Sequence, residues 1–82
     1  MNEHIKYNGK ILFGSRVKQL RLEKGISQES LALIAGLDRT YVSGCERGVR
    51  NIGLENIYKI ASALGVTPDV LFKDEGTQEN DT

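Results

Sequence analysis

Glycines divide this chain into short segments whose apolar residues recur at helical spacing. The glycines that end these segments are Gly25, Gly36, Gly48 and Gly65. Glycine commonly follows the end of a helix because it adopts the left-handed backbone conformation without strain. No segment shows a convincing alternation of apolar and polar residues, which would indicate a strand. The sequence therefore predicts an all-α protein.

Five helices are predicted from these segments, each combining an apolar stripe with a cap or a stop. Together they cover about residues 11–24, 28–35, 39–47, 54–64 and 68–72. We expect the side chains of Ser27, Asp38 and Thr67 to cap the second, third and fifth helices. Pro68 suits the first turn of the fifth. The predicted architecture is a compact five-helix bundle.

The length of the chain allows one domain. Its 82 residues can enclose a single small core. We assign residues 1–73 to this domain, with a core over about residues 11–72, and we interpret residues 74–82 as a flexible acidic tail. So small a core leaves little room for an enclosed active site, and no phosphate loop, metal motif or nucleophile motif is present. We therefore expect no enzymatic activity and no cofactor.

Charge is unevenly distributed, although the whole chain is neutral. Its 11 basic and 11 acidic residues sum to zero. Four acids and no base lie in residues 74–82, so residues 1–73 hold seven acids against 11 bases and carry a net charge of +4. Within this basic part, Arg39, Arg47 and Arg50 lie close together in the chain. Such a local positive stretch suits a nucleic-acid partner.

Metal binding, disulfides and secretion are not indicated. Cys45 is the only cysteine, so no internal disulfide can form, and its place on an apolar helix side predicts a buried small residue. His4 has no other metal-type ligand nearby, so no metal site is predicted. The N-terminal residues lack a signal-peptide apolar run, and no segment is apolar enough to span a bilayer. We expect a cytoplasmic protein without membrane contact and without a small-molecule ligand.

The second and third predicted helices are separated by only about three residues. Two short helices joined by a tight glycine-containing turn form a helix-turn-helix, whose second helix enters the DNA major groove. At about 100° per residue, Tyr41 and Cys45 fall on the core side of the third helix. Arginine can donate two hydrogen bonds to guanine, and a hydroxyl can bond a base edge. The outward and N-terminal positions predicted to read bases are Arg39, Thr40 and Ser43.

Donors beside this helix are predicted to bind the DNA backbone. Gln28 adds a side-chain amide to the free main-chain amides at the start of the second helix, which suit a phosphate oxygen. Arg47 ends the third helix, and Arg50 and Asn51 follow in the loop. The alternative is a solvated basic face, which is the common interpretation of such charges outside a helix-turn-helix.

A set of short motifs runs through about residues 11–72. They are Ser27-Gln28-Glu29, Leu31-Ala32, Gly36, Glu46-Arg47-Gly48 and Ala63-Leu64-Gly65-Val66. Together these motifs resemble the Xre-type helix-turn-helix proteins, which include the lambda-like phage repressors. The run LDRTYVSGCERGVRN is most similar to the controller proteins of restriction-modification systems, small dimeric regulators that time expression of the endonuclease gene.

The resemblance implies roles for particular residues. It gives Arg39 and Thr40 the base-reading positions. The positions near the DNA backbone are held by Gln28, Tyr41, Arg50 and Asn51. Phage repressors can use a side chain where this chain has Gly44, so close backbone approach is all that this position offers. The resemblance also implies a structural ion pair between Arg21 and Glu46, and a carboxylate at the margin of the apolar face needs such a partner.

Helix-turn-helix proteins commonly pair so that two recognition helices enter successive major grooves. We therefore expect a homodimer that binds a palindromic operator on double-stranded DNA. The apolar residues predicted for the dimer interface are Val66, Val70, Leu71 and Phe72. Packing of these side chains into the core of the bundle is the alternative.

The resemblance implies that the dimer activates through RNA polymerase at low occupancy and represses when an adjacent site fills. Glu29, near the start of the second helix, is the candidate polymerase contact. Two other functions remain open from sequence: a phage-type repressor, and an antitoxin-like protein that binds another polypeptide. Neighbouring genes would distinguish the three.

Overall fold

The computed structural model describes residues 8–73, which form four α-helices and a final 3₁₀ helix. These are α1 (Gly9–Lys24), α2 (Gln28–Ala35), α3 (Arg39–Glu46), α4 (Leu54–Leu64) and the 3₁₀ helix Pro68–Phe72. The described residues contain no strand, so the all-α prediction is confirmed. The acidic tail predicted at residues 74–82 and His4 lie outside the described residues.

The prediction of a fifth α-helix is wrong. The segment from Pro68 is five residues long, and its hydrogen bonds join residues three apart. The Val70 amide donates to the Thr67 carbonyl, and the Lys73 amide donates to the Val70 carbonyl. Such short segments commonly adopt the tighter 3₁₀ form because they are too short to repeat the α-helical bond.

Of the predicted N-terminal caps on the α-helices, the one on α2 forms and the one on α3 does not. The Ser27 hydroxyl accepts a hydrogen bond from the Ser30 amide at 3.0 Å, which confirms the cap of α2. The Asn8 side-chain oxygen accepts one from the Ile11 amide at 3.4 Å, and α1 therefore begins two residues before its predicted start. Asp38 occupies the N-cap position of α3 but makes no side-chain capping bond.

Thr67 makes no capping bond either. Its hydroxyl instead donates to the Asp69 carboxylate. That hydrogen bond lowers the pKa of Asp69, with smaller contributions from main-chain amides and the Lys73 charge. The pyrrolidine ring of Pro68, at the start of the segment, fixes φ there, so the helix start does not depend on a side-chain cap.

The turn between α2 and α3 contains three residues, as predicted. Gly36 has a φ of 76°, and a side chain would be strained in this left-handed conformation. The next amide, of Leu37, donates to the Ala32 carbonyl at 2.8 Å and closes the end of α2. The chain therefore reverses within a few residues, and α3 begins beside α2.

Each of the five elements contributes at least one fully buried apolar residue to the centre of the core. Among these residues are Val17, Leu31, Val42, Ile60 and Leu71, one from each element. The prediction that Leu71 belongs to a dimer interface is therefore wrong, because its side chain is 1% exposed. Leu54, predicted on the apolar stripe of α4, is 70% exposed because it lies at the first position of the helix, beyond the cover of the other elements. Within residues 8–73, no helix is both long and apolar enough to cross a membrane.

Two contacts fix α1 against the rest of the bundle. Gly14 of α1 lies so close to the end of α3 that an added Cβ would be 2.1 Å from the Cys45 carbonyl oxygen. Arg16 is buried, and its Nε donates to the Val70 carbonyl oxygen at 3.0 Å. The first contact fixes α1 against the end of α3, and the second fixes α1 against the 3₁₀ helix.

Candidate nucleic-acid interface

The N-terminal end of α3 presents two side chains that have no hydrogen-bond partner among the described residues. Arg39 and Thr40 are both exposed, and neither makes a side-chain hydrogen bond to any residue of 8–73. Their donors are therefore available to an external partner. In helix-turn-helix proteins, the N-terminal residues of the second helix contact base edges, and a guanidinium group can donate two hydrogen bonds to guanine.

Ser43 and Arg47 interact with each other along the outer side of α3. Arg47 Nη1 donates to Ser43 Oγ at 2.6 Å, which joins residues one helical turn apart. Ser43 is half-buried, whereas Arg47 is exposed. The serine accepts in this bond, so its own proton is still available, and Arg47 keeps other N–H groups for a phosphate.

Arg50 lies across α3 rather than extending freely from the loop. Its guanidinium carbon is 4.8 Å from the centroid of the Tyr41 ring, a cation–π distance. A Cβ added to Gly44 would lie 3.1 Å from Arg50 Cγ, so the arginine stem covers this glycine. Gly44 is accordingly buried, and a close backbone approach to DNA at this glycine would require the Arg50 side chain to move aside.

The hydroxyl group of Tyr41 is bonded by a residue of α4. Asn56 Nδ2 donates to Tyr41 Oη at 2.9 Å, and both side chains are half-buried. Asn56 was not predicted from the sequence, since a polar residue in the first turn of a surface helix carries no pattern that links it to α3. The contact exists because α4 starts beside α3.

Arg21 and Glu46 form the ion pair that the family resemblance implies. Arg21 Nε donates to Glu46 Oε2 at 2.6 Å and Nη2 donates to Oε1 at 2.9 Å, while Nη1 donates to the Ile26 carbonyl. Only 9% of the Arg21 side chain and 2% of the Glu46 side chain are exposed. The hydrogen bond to Glu46 raises the pKa of Arg21 above its already high ordinary value. The pair ties α1 to the end of α3.

Gln28 extends this ion pair toward the surface. Its Nε2 donates to Glu46 Oε1 at 2.9 Å, so Glu46 accepts three hydrogen bonds in total. The predicted phosphate contact of Gln28 must therefore use its second amide proton, because a phosphate oxygen only accepts hydrogen bonds. Gln28 thus links the start of α2 to the clamp that fixes α3.

The other candidate residues fall in distinct environments. Asn51 is exposed in the loop after Arg50, and Glu29 is exposed in the first turn of α2.

Cys45 is 1% exposed, and burial, helped by the nearby Glu46 charge, raises the pKa of its thiol to about 12. Its predicted place in the core is confirmed. Among the described residues no cluster of histidine, cysteine, aspartate and glutamate side chains could hold a metal ion.

The predicted interface residues divide into two groups. Val66 and Val70 are half-buried, and Phe72 is 62% exposed with its ring centroid 5.5 Å from that of Phe13. Leu71 faces the core instead, as described above. The sequence analysis did not single out Tyr58, which is 57% exposed on α4.

An open cleft of about 360 Å³ adjoins the DNA-binding candidates. The start of α1 and the loop after α3 form its walls, with Arg50 and Asn51 among the lining residues. Phe13, Ile57 and Phe72 supply its apolar lining. The cleft therefore connects the exposed ring of Phe72 with the basic loop.

Comparison with known proteins gives consistent matches over most of the chain. The sequence profile of the helix-turn-helix family matches residues 17–71. The control protein C.BamHI of Bacillus amyloliquefaciens is 55% identical over 66 residues, which cover 79% of this chain and 82% of that protein.

Solved structures agree with the sequence relatives. The restriction-modification controller protein C.AhdI of Aeromonas hydrophila superposes with a TM-score of 0.78 at 53% identity, covering 80% of this chain and all of that chain. A variant of C.Esp1396I bound to its highest affinity operator site superposes with a TM-score of 0.74 at 37% identity, covering 82% of this chain and 88% of that one.

Proposed function

Since this chain belongs to the helix-turn-helix family and, within it, to the controller proteins of restriction-modification systems, we propose that it regulates transcription by binding operator DNA as a homodimer. The genes under control are its own and that of the endonuclease. The function is one of binding, without catalysis and without a cofactor. The cytoplasm is the proposed location, because a regulator shares a compartment with its operator.

The observation that carries this proposal is the free N-terminal end of α3. Arg39 and Thr40 are exposed and uncommitted there, on a helix whose other end is fixed by the buried Arg21–Glu46 pair. Base readout needs donors that are free to bond on a helix that is held in place, and the exposed side chains and the buried ion pair support this role for α3. Ser43 is the third candidate reader on this helix.

Backbone contacts would set the register of α3 in the groove. The proposed contacts are Gln28, Tyr41, Arg47, Arg50 and Asn51. They lie on α2, on α3 and in the loop after α3, so they would meet phosphates on either side of the recognition helix. The positive charges of Arg47 and Arg50 would provide the salt-dependent part of the affinity.

The proposed dimer would form through the surface that contains Val66, Val70 and Phe72. The exposed ring of Phe72 and the half-buried side chains of Val66 and Val70 would supply apolar surface to a partner. A two-fold dimer places two copies of α3 in successive major grooves, so the operator is a palindrome with half-sites about one helical turn apart.

Activation is proposed to use an acidic contact to RNA polymerase. Glu29 is exposed at the start of α2 and makes no hydrogen bond from its side chain to residues 8–73. Glu29→Gln should abolish activation in a reconstituted transcription assay while operator affinity stays unchanged. Loss of operator affinity in this variant, or full activation by it, would remove Glu29 from the proposal.

Selection of bound duplexes from a random DNA library tests the main proposal. At one fixed salt concentration, the wild-type protein should enrich a palindrome. Arg39→Ala should relax the preference at one position of each half-site, with a loss of about 1–3 kcal/mol of discrimination. Arg47→Ala is the matched control, because a phosphate contact weakens binding to all duplexes alike. Enrichment of no sequence by the wild-type protein would contradict the proposal.

A further inference from the structure

Asn56 and Tyr41 are joined by a tertiary hydrogen bond at the edge of the proposed DNA interface. Asn56 belongs to the first turn of α4, and its Nδ2 donates to Tyr41 Oη of α3 at 2.9 Å. The two residues are 15 positions apart in the chain, and α3 and α4 both pack against α1 and α2, so the bond depends on how these helices place the start of α4 near Tyr41.

The direction of this bond decides what the tyrosine can still do. A phenolic hydroxyl has one proton to donate and lone pairs to accept. Asn56 occupies an acceptor position of Tyr41, and no side chain or carbonyl among residues 8–73 accepts the hydroxyl proton. The Tyr41 proton is therefore uncommitted, although the oxygen that carries it is held in place.

Arg50 restrains the same tyrosine from its ring face. Its guanidinium lies 4.8 Å from the ring centroid and cannot accept a hydrogen bond. Arg50 therefore brings a positive charge over the face of the Tyr41 ring without competing for the hydroxyl proton. A site with a fixed donor, a nearby cation and no internal acceptor is suited to an external anion whose oxygens only accept.

We propose that Asn56 is a positioning residue for DNA binding, which orients the Tyr41 hydroxyl so that its proton is donated to a phosphate oxygen of the operator. The inference rests on the proposed function, because the acceptor is a DNA phosphate. A hydroxyl that accepts one hydrogen bond also donates a stronger one, since hydrogen bonds in a chain polarise each other. Asn56 thus acts on DNA through Tyr41.

A double-mutant cycle separates this role from a direct contact of Asn56 with DNA. Operator affinity is measured for the wild-type protein, Asn56→Ala, Tyr41→Phe and the double variant, with Asn56→Leu as a second variant that keeps the side-chain volume. Each single change should weaken operator binding by about 3- to 10-fold, the range of one hydrogen bond. The double variant should bind within about twofold of Tyr41→Phe, because one interaction is lost only once.

A phosphate scan gives a readout that a loss of folding would not produce. Operator duplexes in which one phosphate at a time is replaced by a neutral methylphosphonate should reveal a position that matters to the wild-type protein. That sensitivity should disappear in both Tyr41→Phe and Asn56→Ala, whereas Arg39→Ala should retain it. Thermal unfolding of each variant identifies any that is not folded at the temperature of the binding assay.

Three outcomes would overturn the inference. Additive losses in the cycle would mean that Asn56 contacts DNA by itself. Unchanged or higher affinity of Asn56→Ala would mean that it does not direct the tyrosine proton to DNA. Failure of the wild-type protein to bind any selected operator would remove the proposed function and this inference together, whereas operator binding with an additive cycle would remove only the inference.

Discussion

A side chain on Gly14 would overlap the main chain of Cys45, because a Cβ atom at Gly14 would lie 2.1 Å from the Cys45 carbonyl oxygen. Helix α1 therefore approaches the end of α3 backbone to backbone at this point. The carbonyl oxygen of Glu46 would be 2.9 Å away as well, so no flexible side-chain atom can move aside. The recognition-helix candidate is held by a contact that only glycine permits.

Gly14→Ala should destabilise the protein. Forcing one methyl group between two helix backbones costs about 1–3 kcal/mol or more, because a whole helix has to shift. Gly9→Ala is the matched control, since Gly9 belongs to the same helix and an added Cβ there meets no atom within 4 Å. Thermal unfolding should show a lower Tm for the first variant and an unchanged or slightly higher Tm for the second. Equal Tm values would contradict the close approach.

Arg21→Ala should lower stability by about 3–5 kcal/mol, because Glu46 would remain as an uncompensated buried carboxylate. Gln28 would still donate one hydrogen bond but carries no charge. Lys18→Ala, an exposed change on the same helix, should stay within about 0.5 kcal/mol of the wild-type protein. The measurement is chemical unfolding.

A second variant isolates the cause of that loss. Arg21→Met combined with Glu46→Leu should recover much of the stability, since it removes both charges together. An unchanged unfolding midpoint for Arg21→Ala would show that the pair contributes nothing.

Cys45 should be unreactive toward a thiol reagent at pH 8 in the folded protein and reactive once the chain is unfolded in urea. Its thiol is buried, and its folded pKa of about 12 lies above the ordinary value of 9.0, so the folded state keeps a proton that the unfolded state loses. Stability should therefore fall as the pH rises from about 9 toward 12.

Cys45→Ala serves as the control for that pH dependence, and it should show a shallower loss of stability over the same pH range. Labelling of the native thiol as fast as in urea would contradict its burial.

Leu71→Ala and Phe72→Ala should separate core packing from association. Leu71 is 1% exposed, and its truncation should cost about 2–5 kcal/mol in the unfolding free energy. Phe72 is 62% exposed, so its truncation should mainly weaken self-association, which sedimentation at several concentrations measures. A dimer of unchanged affinity in Phe72→Ala would place the interface elsewhere, with Tyr58 on α4 the next exposed aromatic residue to test.

Much of the secondary structure followed from local signals. The stops of α1, α2 and α4 at glycines and the cap at Ser27 were predicted correctly, as was the three-residue turn before α3. The incorrect predictions also concern local features, namely side-chain caps and the length of the last segment. Asp38 and Thr67 occupy N-cap positions without making the capping bond, since a side chain of the right type can point elsewhere. The last segment was too short for an α-helix.

The sequence by itself therefore determined where most of the helices end, the start of α2, and which short helix carries the polar residues Arg39 and Thr40. Capping bonds, backbone conformation and helical periodicity act within about one turn of chain, so they can be seen in the order of residues. Only the tertiary structure decided that Leu71 is buried while Leu54 is exposed, that Arg50 covers Gly44, and that Asn56 reaches Tyr41. Burial and side-chain pairing depend on which other elements lie beside a residue, and that is set by the packing of the whole bundle.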